Sequence, residues 1–388
     1  MRIRILIFLF ALFALQAWGI RIVSQPYLQD VGASEVTIVW TVDKSSVGWV
    51  ELAPDDGTNF YYTERPRYWN SRDGIKQEDS THIVHITGLK PGTRYRYRVY
   101  AQEVLKHEGW KVIYGNIAAT NVYSKKPLTF CTLNTEKKDV NFCIVNDIHG
   151  DNAKLENLLG RADVKKQDFV IFNGDMVSSF DSRKQVFDGF MNTATRLFAS
   201  EKAMYYTRGN HETRGTFASQ FHHYFSPSRP KLYYTLQFGS VFFVMLDTGE
   251  DKPDTDLEYA GITDYDAYRT EESAWLEQVV ASEAYQKAPF RIIIAHIPPE
   301  MQDDWHGNVE VQQKFVNILS KGSAKPDVMF CGHTHVFAHN EPNANVPFPV
   351  IVNSNKGVVT VKADENEIKV RLETTEGKVD DQFTLKRK

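Results

Sequence analysis

Five apolar runs from Val140 onward each end in residues that can bind metal. Val140 to Asn146 leads into Asp147-Ile148-His149, and Asp168 to Phe172 into Asn173-Gly174-Asp175. Met204 to Thr207 leads into Arg208-Gly209-Asn210-His211-Glu212. Arg291 to Ala295 delivers His296, and Val328 to Cys331 delivers Gly332-His333-Thr334-His335. A single Gly-Asp is more often a turn, and a single buried His more often a satisfied polar group. Five such endings in order make coincidence a poor explanation. Their chemistry is that of adjacent cations, since imidazole, carboxylate and amide ligands together suit Mn, Fe or Zn. Two neighbouring ions repel, and a carboxylate between them offsets that repulsion at a separation of about 3.5 to 4 Å. The i, i+2 spacing in Asp147-x-His149 and His333-x-His335 puts both side chains on one side of an extended backbone. Gly174, Gly209 and Gly332 leave room for a tight backbone beside the ions.

Five distant endings converge only if parallel strands carry them, because ligands of an α/β sheet gather at the carboxyl ends of its strands. The segment from Val140 onward fits: apolar strands alternate with helical patterns such as Leu155, Leu158, Leu159 and Ala162. From about Val346 short β runs return and complete this domain. Residues 20–133 differ. Short apolar runs such as Val36 to Val42 and Ser46 to Leu52 alternate with turn signals and lack helical periodicity, which predicts a β-sandwich. Leu89-Lys90-Pro91-Gly92-Thr93-Arg94-Tyr95 fits a tyrosine corner, in which a Tyr bonds back to the upstream backbone. Residues 134–139 form a polar linker, so the expected domains are 20–133 and 140–388.

The ordered blocks D-x-H, G-D, G-N-H-E, H and G-H-x-H resemble the signature of the calcineurin-like metallophosphoesterase superfamily. The resemblance implies two packed β-sheets flanked by helices, an αββα sandwich. It also implies ligand sets: Asp147, His149, Asp175 and His335 for one ion, and Asp175, Asn210, His296 and His333 for the other, with Asp175 bridging. His211, left unligated, becomes the general acid, and the nucleophile a hydroxide held by both ions. Trp40 and the Tyr95 corner make the first domain similar to a fibronectin type III module. That pairing resembles the architecture of the purple acid phosphatases, with two departures. Ser178 stands where those enzymes carry an iron-binding Tyr, and His149 where they usually lack a ligand, so a colourless protein is expected.

Other residues keep two readings. Arg208 and Arg214 either clamp phosphate bidentately or form ion pairs; Glu212 and Asp151 either orient ligands or are ordinary acids. The stretch Gly249 to Glu272 is long for a connection without structure and reads as a lid or a solvated loop. Pro298 to Gly307, with Trp305 and His306, either meets the leaving group or lies in solvent. The segment Arg65-Pro66-Arg67-Tyr68-Trp69 leaves open a glycan or protein contact by the first domain, or simple packing against the second.

Composition limits the rest. The chain has 388 residues, 42% hydrophobic and 24% charged, with a net charge of -4, in the range of folded globular proteins. Arg2 and Arg4 followed by an apolar run from Ile5 to Leu15 and Ala17-Trp18-Gly19 predict a signal peptide over 1–19. The run is too short to span a bilayer, which needs about 20 residues. The mature chain is therefore expected outside the cytoplasm, periplasmic or secreted, with no transmembrane segment. Losing the two arginines takes Lys+Arg from 45 to 43 against 49 Asp+Glu, a balance that suggests no nucleic-acid partner. Arg94, Arg96 and Arg98 alternate with Tyr95, Tyr97 and Val99 and read as the solvent face of a strand. Cys131, Cys143 and Cys331 form no disulfide framework, although one bridge is open to them. The expected activity is hydrolysis of a small phosphate ester, monoesters favoured over diesters or nucleotides. A catalytically dead binding protein is the rival from another class.

Overall fold

The computed structural model describes residues 19–121, 125–259 and 261–387. The segment read as a signal peptide lies outside these residues except for Gly19. No helix among the described residues is long and apolar enough to cross a membrane.

The N-terminal region is a β-sandwich built around one long strand. Strands β1 (Ile22–Gln29), β2 (Glu35–Pro54), β3 (Arg67–Trp69), β4 (Glu78–Thr87), β5 (Arg94–Glu108), β6 (Lys111–Ala119) and β7 (Leu128–Cys131) form it. The first half of β2 pairs with β1 and β4, its second half with β3 and β5, and the register shifts between Thr41 and Ser46. One strand thereby serves both layers, with Trp40, Leu28, Ile86, Val99 and Phe130 buried between them. The Tyr95 hydroxyl accepts the Lys90 backbone N–H at 2.9 Å, which is the anticipated tyrosine corner.

The arginine row departs from expectation. The alternation holds and Arg94 is exposed, but Arg96 and Arg98 are buried. Segment 54–61 covers their side of the strand: Arg96 Nε donates to the Pro54 carbonyl at 2.8 Å, and the Arg98 guanidinium lies over the Tyr61 ring. Cys131, Cys143 and Cys331 are all free thiols, so the open bridge is not formed.

Two six-stranded sheets follow. The first runs β10 (Ala203–Thr207), β9 (Phe169–Asn173), β8 (Val140–Val145), β17 (Gly357–Ala363), β18 (Glu367–Thr374), β19 (Val379–Lys386). The second runs β11 (Tyr234–Phe238), β12 (Val241–Met245), β13 (Phe290–Ile294), β14 (Val328–Cys331), β16 (Val350–Val352), β15 (Ala338–Asn340). Strands β8, β9 and β10 are parallel to one another, as are β12, β13, β14 and β16. Period-two alternation sorts their side chains into layers. Phe142, Ile144, Phe243 and Ile292 fill the space between the sheets, whereas Cys143, Val145, Ile293 and Met329 face the outer helices. The result is helix, sheet, sheet, helix.

Helix α1 (Asn152–Arg161) buries Leu155, Leu158 and Leu159 on the first sheet. Asp151 caps its N-terminus by accepting the Lys154 N–H at 2.9 Å, so this acid serves the helix and not the ligands. Helix α2 (Tyr265–Ala281) takes up the end of the stretch read as a lid or a solvated loop, and the described residues of 249–264 precede it without helix or strand. The linker is tied down: Lys137 pairs with Asp168 at 2.8 Å, and the Lys138 carbonyl accepts the Ser240 N–H. The Tyr27 hydroxyl donates to the Tyr224 carbonyl, Tyr97 to Ser200, and Tyr205 to Val31, stitching the sandwich to the sheets.

Candidate metal centre

The carboxyl ends of β8, β9, β10, β13 and β14 meet at one edge, and the seven sequence-derived ligand candidates meet there with them. Their backbone is unusual. Among the described residues nine non-glycine positions have positive φ, and five of these are Asp147, His149, Asp175, His333 and His335. Left-handed backbone costs a bulky residue roughly 1 to 3 kcal/mol and survives where surrounding structure over-determines it, commonly at functional sites. Two glycines let these turns close on one another. A Cβ on Gly174 would sit 2.2 Å from His296 Nδ1, and one on Gly209 would sit 2.3 Å from Asp175 Oδ1.

Metal-capable atoms fall into two groups here, Asp147, His149, Asp175 and His335 in one, Asp175, His296 and His333 in the other. Asp175 is common to both. In the first group, His335 Nε2 lies 3.3 Å from Asp147 Oδ1 and 3.0 Å from His149 Nε2. Asp147 Oδ1 is buried and has no hydrogen-bond partner, while its Oδ2 accepts from Asn146 Nδ2 and the His333 N–H. An orphaned carboxylate oxygen facing two imidazole nitrogens fits a cation among them, since a buried acceptor left unpaired costs about 1 to 3 kcal/mol.

In the second group, His296 Nδ1 lies 2.7 Å from the Asn173 carbonyl, a partner that requires Nδ1–H. The Nε2 lone pair is thereby turned to the site, 3.1 Å from Asp175 Oδ2. Burial disfavours a charged His296, but the Asp175 carboxylate outweighs it, and without a metal this pair holds a proton: His296 is pushed up to about 10. Asp175 is correspondingly held well below the carboxylate range, its own burial overcome chiefly by the His296 charge. Burial dominates at His333 and takes it down to about 4. Asn210 Oδ1 faces His333 Nδ1 at 3.0 Å. Hydrogen bonding alone would turn the amide over, its nitrogen toward Asp175 and His333 and its oxygen accepting from Arg214 at 2.9 Å. The oxygen-inward orientation is the one a metal ligand needs. Orphaned Asp147 Oδ1 and two imidazole-rich groups together fit a pair of metal ions.

Glu212 is buried beneath this loop cluster. Its carboxylate accepts the backbone N–H groups of Asp175, Met176 and Gly209 at 2.8 to 2.9 Å and the Tyr206 hydroxyl at 2.9 Å. It therefore orients Asp175, the residue common to both groups, through the backbone. His211 stands beside Asp175 with Nε2 3.9 Å from Oδ2, and its Nδ1 is 2.7 Å from the Ser178 carbonyl.

The arginines resolve toward ion pairs. Arg208 is buried, with Nε and Nη2 on the two oxygens of Asp247 at 3.2 and 2.7 Å. Arg214 pairs Nε and Nη2 with Glu250 and extends Nη2 to Asp251. Freeing either for phosphate would strand a buried carboxylate, a loss of about 3 to 5 kcal/mol when one partner of a buried pair is removed. His306 binds Asp266 at 2.7 Å. Asp266, His306 and Glu310 form a further metal-like group, but Arg269 pairs with both Asp266 and Glu310, and Lys314 with Glu310, so cations already fill it.

Several site residues escaped the sequence reading. Asn353 follows β16 and exchanges hydrogen bonds with Asn146, which in turn holds Asp147. Asp247 follows the apolar run Val241–Leu246 and holds Arg208. Both carried the same signal as the ligands, an apolar run ending in a polar residue. Asp251, whose carboxylate lies 3.9 Å from His333 Nε2, sits in a loop and carried none.

Comparison with known proteins agrees with this geometry. The family model for calcineurin-like phosphoesterases matches residues 140–337. No curated protein matches by sequence. Among solved structures, the chain is similar to purple acid phosphatase PPD1 from yellow lupin (Lupinus luteus) seeds, with 16% identity over 93% of this chain and 74% of that one, TM-score 0.65. It is also similar to PhoD, with 12% identity over 94% of this chain and 90% of that one, TM-score 0.61. At these identities the likeness is one of fold.

Proposed function

The chain belongs to the calcineurin-like phosphoesterase family, and from that membership we propose an exported, dinuclear metal-dependent hydrolase of phosphate monoesters. The carrying observation is Asp175, shared by both ligand groups and flanked by His211. Asp147, His149 and His335 would hold one ion, Asn210, His296 and His333 the other, with Asp175 between them. Such ions, when bound, supply a water that ionises near neutral pH and a clamp on the phosphoryl oxygens.

The chain's own contribution is orientation and proton delivery. His296 donates Nδ1–H to Asn173, which fixes its ring. The Ser178 carbonyl does the same for His211, since it can only accept from Nδ1–H; with that hydrogen so placed, Nε2 carries a proton only in the imidazolium form, which would give that proton to the departing oxygen and become the neutral ring. His149 lies edge-on to His211, ring centroids 4.8 Å apart, and limits how far that ring can swing. Ser178 brings no phenolate to this place, which supports a colourless site of Mn, Fe or Zn. Export rests on the Arg2/Arg4 and Ile5–Leu15 pattern. The complete ligand set speaks against a dead binding protein.

A panel of p-nitrophenyl phosphate, bis-p-nitrophenyl phosphate and nucleotides, run with each of Mn, Fe and Zn, tests the proposal. Monoester turnover that disappears with chelator is expected. Preference for the diester or for nucleotides would replace the monoester reading; no turnover of any of them would overturn the enzyme.

A further inference from the structure

A cleft of about 920 Å³ opens beside the ligand cluster, with His333, Thr334 and Asp251 in its lining. Glu300, Met301, Asp303 and Trp305 line it from one loop, Val336 and Glu341 from the segment after the last ligand. No Lys or Arg lines it. Asp251 shares the Arg214 guanidinium with Glu250. Glu300 and Asp303 form no salt bridge among the described residues; Glu300 accepts only from amides, Asn343 Nδ2 at 2.8 Å and Asn345 Nδ2 at 3.4 Å. Trp305 is 49% exposed, a large apolar ring left in water at the cleft wall. His339 Nδ1 is held by Asp381 at 2.6 Å, and its Nε2 faces Glu341 at 3.7 Å, so Glu341 is not one of the uncompensated acids.

A phosphate held at the metal centre projects its organic group into whatever space adjoins the ligands. Resting on the phosphoesterase reading, we propose that this cleft receives that organic group and selects esters whose organic group carries a positive charge, an ammonium or quaternary ammonium, over anionic ones. Uncompensated carboxylates attract a cation and repel a second anion, and like-charge repulsion is an effective source of specificity. The Trp305 ring adds an apolar, electron-rich wall that suits methylated ammonium groups. Glu300, Asp303 and Trp305 are then the specificity-determining residues. Polyphosphate nucleotides fit this lining poorly.

The test uses the metal-loaded full chain and three alkyl phosphates of matched size: choline phosphate, its neutral 3,3-dimethylbutyl counterpart and the anionic 3-phosphooxypropanoate. Their kcat/KM values should fall in the order cation, neutral, anion, spanning roughly tenfold, the combined scale of one cation–π contact and partly exposed charge pairs. Calorimetric binding of the corresponding phosphonates should follow the same order. In the Glu300→Gln/Asp303→Asn double variant, its fold checked by circular dichroism, the cation-to-anion ratio should collapse toward one. Trp305→Ala should weaken the cation more than the anion. Equal kcat/KM across the three, or a ratio that survives the double variant, overturns the inference while leaving the phosphoesterase reading intact. If p-nitrophenyl phosphate and all three esters are left unhydrolysed, the activity fails instead, and the phosphonate order alone decides the cleft.

Discussion

Asp175 and His211 stand 3.9 Å apart yet serve separable ends. Asp175 belongs to both ligand groups, so Asp175→Ala should lose metal and activity together. His211 belongs to neither ligand group, and its Nδ1 is spent on Ser178. His211→Ala should therefore keep its metal content by elemental analysis while kcat falls about 10² to 10⁴-fold, the usual worth of general-acid help. An unchanged kcat would remove His211 from the reaction. These side chains were legible in the sequence because each closes an apolar run. The fate of Arg208 and Arg214 was not, because their partners Asp247, Glu250 and Asp251 lie more than thirty positions away. A guanidinium next to a motif looks the same in sequence whether it faces phosphate or a carboxylate.

Strands were easier to read than their surroundings. Alternation and apolar runs indicated β8, β9, β10, β13 and β14 and the helical face of α1, and the Leu89 to Tyr95 turn indicated its corner. The Arg94, Arg96, Arg98 row shows where pattern stops: alternation tells which residues share a face, but what covers that face is decided by segment 54–61. Strand β4 offers a test of packing at this scale. His82 is buried against Trp40, ring centroids 5.0 Å apart, with Nε2 2.8 Å from Ser46 Oγ. Burial pushes its pKa down to about 4 from an ordinary 6.5, against a smaller opposing pull from Asp79. The unfolded chain therefore binds the proton first, so this contribution to stability is full above pH 6.5 and lost as pH falls toward 4. Between pH 7 and pH 5 the loss should be roughly 2 kcal/mol. His82→Gln cannot titrate, and urea unfolding at the two pH values should show that much less acid sensitivity than the wild type. Equal sensitivity in both would mean that the ring is solvated.

At the scale of the molecule, the sandwich and the paired sheets share side chains. Tyr27 packs on Phe187 and Phe225 and donates to Tyr224, and Ser200 donates its hydroxyl to the Pro26 carbonyl at 2.6 Å. The two regions should unfold in one calorimetric transition; two well-separated transitions would show that these contacts add little. The composition change near residue 134 revealed that two architectures were present, but not this seam, which joins residues more than a hundred positions apart. The same joining of distant segments builds the metal centre, drawing on ligands from 147 to 335. Metal stoichiometry tests it most directly, measured per chain on purified protein before and after chelation alongside p-nitrophenyl phosphate turnover. Two ions per chain, lost with activity and restored with it, are expected. Full turnover by a chain stripped of metal would contradict the dinuclear centre outright.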